Sequence, residues 1–188
     1  MPCYPTASYN TWHVGWCTGR VVARLLGFAD PEAEGGGRIG IGTDAHVAAY
    51  ASNQFQTQTG RRFNRITGLD PALPFFATPK LGPKLDPTDA DFVDVLHTNP
   101  GVFGKIEPAG HVDFYVNGVT IQPFCSSHKN PPLCSHMLAA KLFSESINSD
   151  IGIWGSPCQS FFQLMFGWCS YSPSNPDNAV MGEHANQR

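Results

Sequence analysis

The stretch Gly40-Ile41-Gly42-Thr43-Asp44-Ala45-His46 runs a short strand candidate, Arg38 to Ile41, straight into a helical one, Ala45 to Gln54. The junction is a glycine-rich turn. That is the setting of a nucleophile elbow, G-x-S-x-G, where a serine sits on a strained turn with its hydroxyl exposed. The flanking glycines let strand and helix approach without a side-chain clash. Gly40 fills the first glycine position, Gly42 the serine position and Asp44 the last glycine position. Gly42 has no heteroatom and cannot attack an ester. On these residues alone a plain strand–turn–helix is the simpler reading. A phosphate loop is weaker still, because neither GxxxxGK[ST] nor GxGxxG is present.

Working outward, Val14 to Leu26 places Val14, Cys17, Val21, Val22, Leu25 and Leu26 at helical spacing. Asp30 to Gly37 reads as a loop. Phe63 to Leu69 reads as a strand ending at Asp70-Pro71, Asp91 to His97 as a third and His111 to Tyr115 as a fourth. Ser135 to Asn148 reads as a helix with Met137, Leu138, Leu142 and Phe143 on one face. The tail from Ser170 is polar and expected to be irregular. Strands alternating with helices predict an α/β fold with a mostly parallel central sheet. A length of 188 residues fits one domain, 1–188.

Apolar residues make up 41% of the chain, enough for a core, which argues against disorder. The net charge of −3 carries no basic stripe, so a nucleic-acid partner is not expected. No apolar run approaches the ~18 residues of a transmembrane segment. Six cysteines, none in CxxC spacing, argue against a zinc ribbon. Cys125 with Cys134, and Cys158 with Cys169, close loops of similar size. Such spacing fits disulfides and a secreted protein, while buried free thiols remain the alternative. The start, Met1-Pro2-Cys3-Tyr4-Pro5, is not a signal peptide, so the expectation is a chain incomplete at its N-terminus.

Three further runs bear on the turn: Arg65-Ile66-Thr67-Gly68-Leu69-Asp70-Pro71-Ala72, Asp89 to Thr98, and Gly110 to Gly118. With Cys134-Ser135-His136, Phe143 to Ile147 and Met181-Gly182, they strongly resemble the pancreatic-lipase family of animal lipases. That family includes phospholipase A1-like members and the related insect yolk proteins, which also lack the serine. The resemblance covers nearly the whole chain in order. It implies an α/β-hydrolase fold, here N-terminally truncated, with a Ser…Asp…His triad.

Carried over residue by residue, the resemblance puts the acid on Asp70, the base on His136 and the lost nucleophile on Gly42. The backbone N–H of Thr43 would be one oxyanion donor; the loop that supplies the other lies upstream in the family. Asp44 is expected to crowd the turn. The family's calcium loop falls on Lys84 to Asp89, where Asp86 and Asp89 match ligands but Leu81 replaces a glutamate, so calcium binding would be weakened or lost. Cys125 and Cys134 match the pair bracketing a very short lid, and Cys158 and Cys169 a further disulfide. His46, His97 and His111 read as structural, His128 and His184 as exposed. Trp12, Trp16, Trp154, Trp168, Phe161, Phe162, Met165 and Phe166 line an acyl site or pack in the core.

The expected function is therefore that of a catalytically impaired family member, binding lipid or another hydrophobic ligand or serving yolk-type storage. The alternative is a secreted triacylglycerol lipase or phospholipase A1. The first strand, with neighbours on one side only, invites association with a second copy or another chain.

Overall fold

The structure is a computed structural model and describes residues 4–29, 38–77, 84–118, 120–169 and 172–185. Phe63-Asn64-Arg65-Ile66-Thr67-Gly68-Leu69, buried at Phe63 and from Ile66 to Leu69, forms strand β2 (Phe63–Leu69). Beside it lie β1 (Arg38–Ile41), β3 (Ala90–His97) and β4 (Val112–Tyr115). The four pair in the order β1-β2-β3-β4, all parallel. Gly40 stands opposite Gly68, Gly68 opposite Val95, and Leu96 opposite Phe114. Parallel strands need a helix or a long crossover between them and burial on both faces, and the chain supplies both.

On one face, Ile66, Val93 and Val95 pack with Ala45, Ala48, Ala49 and Phe55 of helix α2 (Thr43–Thr59). On the other, Leu69 and Leu96 meet Ala139 and Phe143 of helix α3 (Pro131–Ile147), with Met181 closing the cluster. The sheet is thus the middle of three layers, as an α/β chain requires. Also on the α3 side, Arg65 pairs with buried Asp94 (Nε–Oδ1 2.8 Å) and donates to the carbonyls of Gly182 and Glu183. One guanidinium thereby pins the tail to the sheet.

Helix α1 spans Tyr4–Ala29, longer than the expected Val14 to Leu26. Its buried face is also different. Ser8, Thr11 and Ala23 are buried, and Gly15 and Gly19 lie in the same stripe. A Cβ on Gly15 would run into Tyr50, and one on Gly19 into Ala51 and Gln54 of α2. Small residues every third or fourth position let α1 lie close on α2. Val14, Val21, Trp12 and Trp16 are exposed instead, so the large apolar residues do not mark the packed face.

The tail is less irregular than expected. Strand β5 (Ile153–Gly155) pairs antiparallel with β6 (Ala179–Met181), a contact across more than twenty residues. Between them sits a single-turn helix, α4 (Phe161–Met165). Both expected disulfides are present, Cys125–Cys134 and Cys158–Cys169. Cys17 is free and exposed. Cys3 and the whole Asp30 to Gly37 loop lie outside the described residues.

Candidate functional site

The site lies at the carboxyl ends of β1 and β2. Gly42 follows β1 at φ 58, ψ −117, a conformation that strains any residue with a Cβ. The turn is held on both sides: Gly42 N donates to Leu69 O and Ala72 N donates to Gly42 O, each at 3.0 Å. A Cβ on Gly40 would collide with the Asp44–Ala45 backbone, so helix α2 lies that close only because the residue is glycine. This is the geometry of an elbow with its apex bare. Thr43 is the first residue of α2, where N–H groups have no intrahelical partner. Gly42 offers no side-chain cap. Asp44 is exposed, and an acidic residue in the first helical turn is electrostatically favourable.

Asp70 follows β2, fully buried, with φ 48. Its Oδ1 accepts from the backbone N–H groups of Thr98 (2.8 Å) and Asn99 (2.9 Å). Its Oδ2 accepts from His136 Nδ1 at 2.6 Å. A carboxylate with these partners holds the imidazole in one tautomer and leaves Nε2 as an acceptor. That Nε2 faces the bare apex: a Cβ built on Gly42 would stand 2.9 Å from it. The three positions named in the sequence therefore converge, although Gly42 and His136 are far apart in the chain.

His136 is placed by its surroundings. Pro131 and Asn130 start α3, and the Asn130 side chain accepts from Leu133 N. The Cys125–Cys134 bridge ties that first turn to the preceding loop. Ser135 Oγ accepts from Gln122 N, and the Gln122 amide donates to Thr98 O. The Phe103 ring lies 5.7 Å from the imidazole. Gly104 is needed beside Asp70, since a Cβ there would overlap the carboxylate. Thr98, Asn99 and Gly104 act on Asp70 through backbone groups or by being small, and Gln122 through an amide that no motif in the sequence marks.

The two expected calcium ligands, Asp86 and Asp89, meet in one short turn. Asp86 caps a short helical turn, accepting from Thr88 N and Thr88 Oγ1, while Asp89 Oδ2 accepts from Asp86 N. Asp89 Oδ1 accepts from Asn53, and burial pushes the Asp89 carboxyl up to about 6. Leu81 lies outside the described residues. Among the described residues no three His, Cys, Asp or Glu side chains come together as a metal site. Two carboxylates engaged in capping do not match the six to eight oxygens that calcium takes.

His46 donates from Nε2 to Ala72 O and accepts at Nδ1 from Leu85 N, and burial lowers it to about 4. His97 contacts Asp113 Oδ1 (2.8 Å) and Lys105 O, and His111 accepts from Val93 N. These three are structural, and His128 and His184 are exposed. The large apolar residues expected at an acyl site or in the core, Trp12, Trp16, Trp154, Trp168, Phe161, Phe162, Met165 and Phe166, are exposed and not in the core. A cavity of about 170 Å³ lies between Pro100, Ile106, Tyr115, Thr120, Leu164 and Met165, and neither Gly42, Asp70 nor His136 lines it.

A parallel sheet, an elbow at the end of β1, and an acid and a histidine from later segments define an α/β hydrolase fold. The chain belongs to the Lipase family, whose profile matches residues 2–188. It is 32% identical to pancreatic lipase-related protein 2 of Mus musculus, over 98% of this chain and 42% of that protein. It is 35% identical to lipase member H of Oryctolagus cuniculus and 35% to phospholipase A1 member A of Rattus norvegicus, each over 70% of this chain and 29% of the relative. The chain thus spans 29% to 42% of the length of these relatives.

Proposed function

We propose that this chain is a catalytically impaired lipase-family protein that binds lipid or another hydrophobic ligand, with yolk-type storage as the specific form of that role. One observation carries the reading. The residue at the apex of the elbow, where His136 Nε2 converges, is Gly42. With no hydroxyl there, the Asp70–His136 pair has no nucleophile to activate. Loss of the nucleophile costs a serine hydrolase on the order of 10⁶ in turnover. Two disulfides support a secreted protein. Among the described residues no helix is long and apolar enough to cross a membrane. Strand β1, at the edge of the sheet, supports association with a second copy or another chain.

The second reading is an active secreted triacylglycerol lipase or phospholipase A1. What favours it is the 2.6 Å Asp70–His136 pair, fully formed beside the bare apex. Three assays on the purified chain separate the readings. Under the first, short-chain nitrophenyl esters are hydrolysed no faster than in buffer, a serine-reactive fluorophosphonate leaves the chain unlabelled, and a fluorescent short-chain phospholipid binds. Turnover that the fluorophosphonate abolishes establishes the second.

A further inference from the structure

Between Cys158 and Cys169 the chain makes a small closed loop, Gln159-Ser160-Phe161-Phe162-Gln163-Leu164-Met165-Phe166-Gly167-Trp168. Neither the elbow nor its histidine uses it. Its apolar side chains are turned outward: Phe162 is 70% exposed, Trp168 68%, Phe166 56% and Met165 54%. The three rings stack in a row, Phe162 on Phe166 at 5.3 Å and Phe166 on Trp168 at 5.1 Å. The other side is anchored, with Phe161 5.9 Å from the Tyr115 ring and Leu164 lining the cavity beneath. Contiguous exposed aromatics are costly in water and mark an interaction surface.

The occupant is a lipid surface, and charge decides its kind. From Ile151 to Pro176 there is no Asp, Glu, Lys, Arg or His. An anionic bilayer recruits Lys and Arg, of which this segment has none, while an uncharged, zwitterionic headgroup layer requires none. A protein partner would be met by a polar, often charged rim. Trp and aromatic rings favour the level of the headgroups. The loop's backbone suits that medium: the N–H groups of Leu164, Phe166, Gly167 and Trp168 all donate to carbonyls within the loop. The disulfide fixes the loop before contact, so little ordering remains to oppose binding.

We propose that the loop closed by Cys158 and Cys169 is a docking wedge that seats the chain on a zwitterionic phospholipid surface through Phe162, Met165, Phe166 and Trp168. The inference rests on the lipid-binding reading above and names the surface from which the ligand is met.

The test is co-sedimentation of the whole chain with phosphatidylcholine vesicles. The wild type partitions onto them, and raising the salt leaves binding unchanged because no charge pairs form. The double variant Phe162→Ser/Phe166→Ser loses at least ~10-fold in partitioning, as expected when apolar contact area sets the affinity. Tyr9→Ser/Trp12→Ser, exposed aromatics on α1, stays within about two-fold of wild type by the same rule. Brominated phosphatidylcholine quenches wild-type tryptophan fluorescence, and Trp168→Phe removes most of the quenching while leaving vesicle binding in place. Matching thermal melts establish that the variants are folded. The wedge is overturned if the loop variant binds as wild type does, if the α1 variant loses as much, or if binding requires phosphatidylglycerol. A monomeric short-chain phosphatidylcholine separates the two ideas. Binding of the monomer without vesicle binding overturns the wedge and leaves the lipid-binding reading standing. Loop-dependent vesicle binding without monomer binding upholds the wedge alone, and absence of both removes both.

Discussion

Placing a hydroxyl at the elbow, Gly42→Ser, tests the geometry of the site at one point. At φ 58, ψ −117 an L residue is held in a sparsely populated region, which costs about 1–3 kcal/mol. The new Cβ would also stand 2.9 Å from His136 Nε2, closer than side chains normally approach, so the imidazole must yield by a few tenths of an ångström. It can do so only against its 2.6 Å bond to Asp70. For a chain of this size each kcal/mol lowers the melting midpoint by about 2–4 °C, so the expected fall is about 2–12 °C. The variant should also gain covalent labelling at position 42 by a fluorophosphonate, since Nε2 is placed to take the hydroxyl proton. Gly42→Ala is the control, with the same loss of stability and no labelling. Calorimetry and intact-mass analysis read both effects. A Gly42→Ser chain as stable as wild type, or one that stays unlabelled, would refute the argument that an elbow and a functional dyad meet here.

Three further outcomes follow from other contacts. His46, neutral in the folded chain above about pH 4, contributes stability above about pH 6.5 that is lost as pH falls toward 4, whereas Asp89, protonated in the folded chain only below about pH 6, contributes stability below about pH 4 that is lost as pH rises through 6. Each is worth on the order of 3 kcal/mol and the slopes oppose, so urea midpoints change little between pH 4 and 6 in the wild type, while Asp89→Asn steepens the acid loss and His46→Gln reverses the slope. Arg65→Ala leaves buried Asp94 uncompensated and frees the carbonyls of Gly182 and Glu183, costing about 3–5 kcal/mol and opening the tail to limited proteolysis. Replacing Cys125 and Cys134 by Ser removes a closure of nine residues' separation, lowering unfolding stability by about 2–3 kcal/mol in urea titration.

How far the sequence could be read depended on what carried each contact. Strand β2 is legible residue for residue because its apolar and β-branched residues, Phe63, Ile66, Thr67 and Leu69, end at the turn signal Asp70-Pro71. Gly42, Asp70 and His136 are legible as a set because their flanking runs occur in series along the chain. Helix α1 is misread where its packing inverts the usual rule: Gly15 and Gly19 face α2 and Ser8 and Thr11 are buried, while Trp12, Val14, Trp16 and Val21 face water. A hydrophobic-period search finds the wrong face of such a helix. The β5–β6 pair is three residues wide and joined through a long excursion, so no local pattern announces it. Thr98 and Asn99 hold Asp70 by main-chain N–H groups, which any residue but proline could supply. The exposure of the ring-rich loop is a tertiary fact; the same residues in the same order could equally have filled a core.

The way Asp70 is held makes the three positions unequal in what the fold will tolerate. Removing its carboxylate would strand two buried amides and one imidazole nitrogen, and removing His136 would strand the carboxylate. Either change injures the architecture itself. Glycine at the apex does the opposite, because it relaxes the one strained backbone angle of the turn. Substitution in such a scaffold therefore has a downhill direction: the apex can be glycine at a gain to the fold, while Asp70 and His136 are kept in place by the groups they hold. The pair is masonry, and its presence records what the walls require, whatever the room is used for.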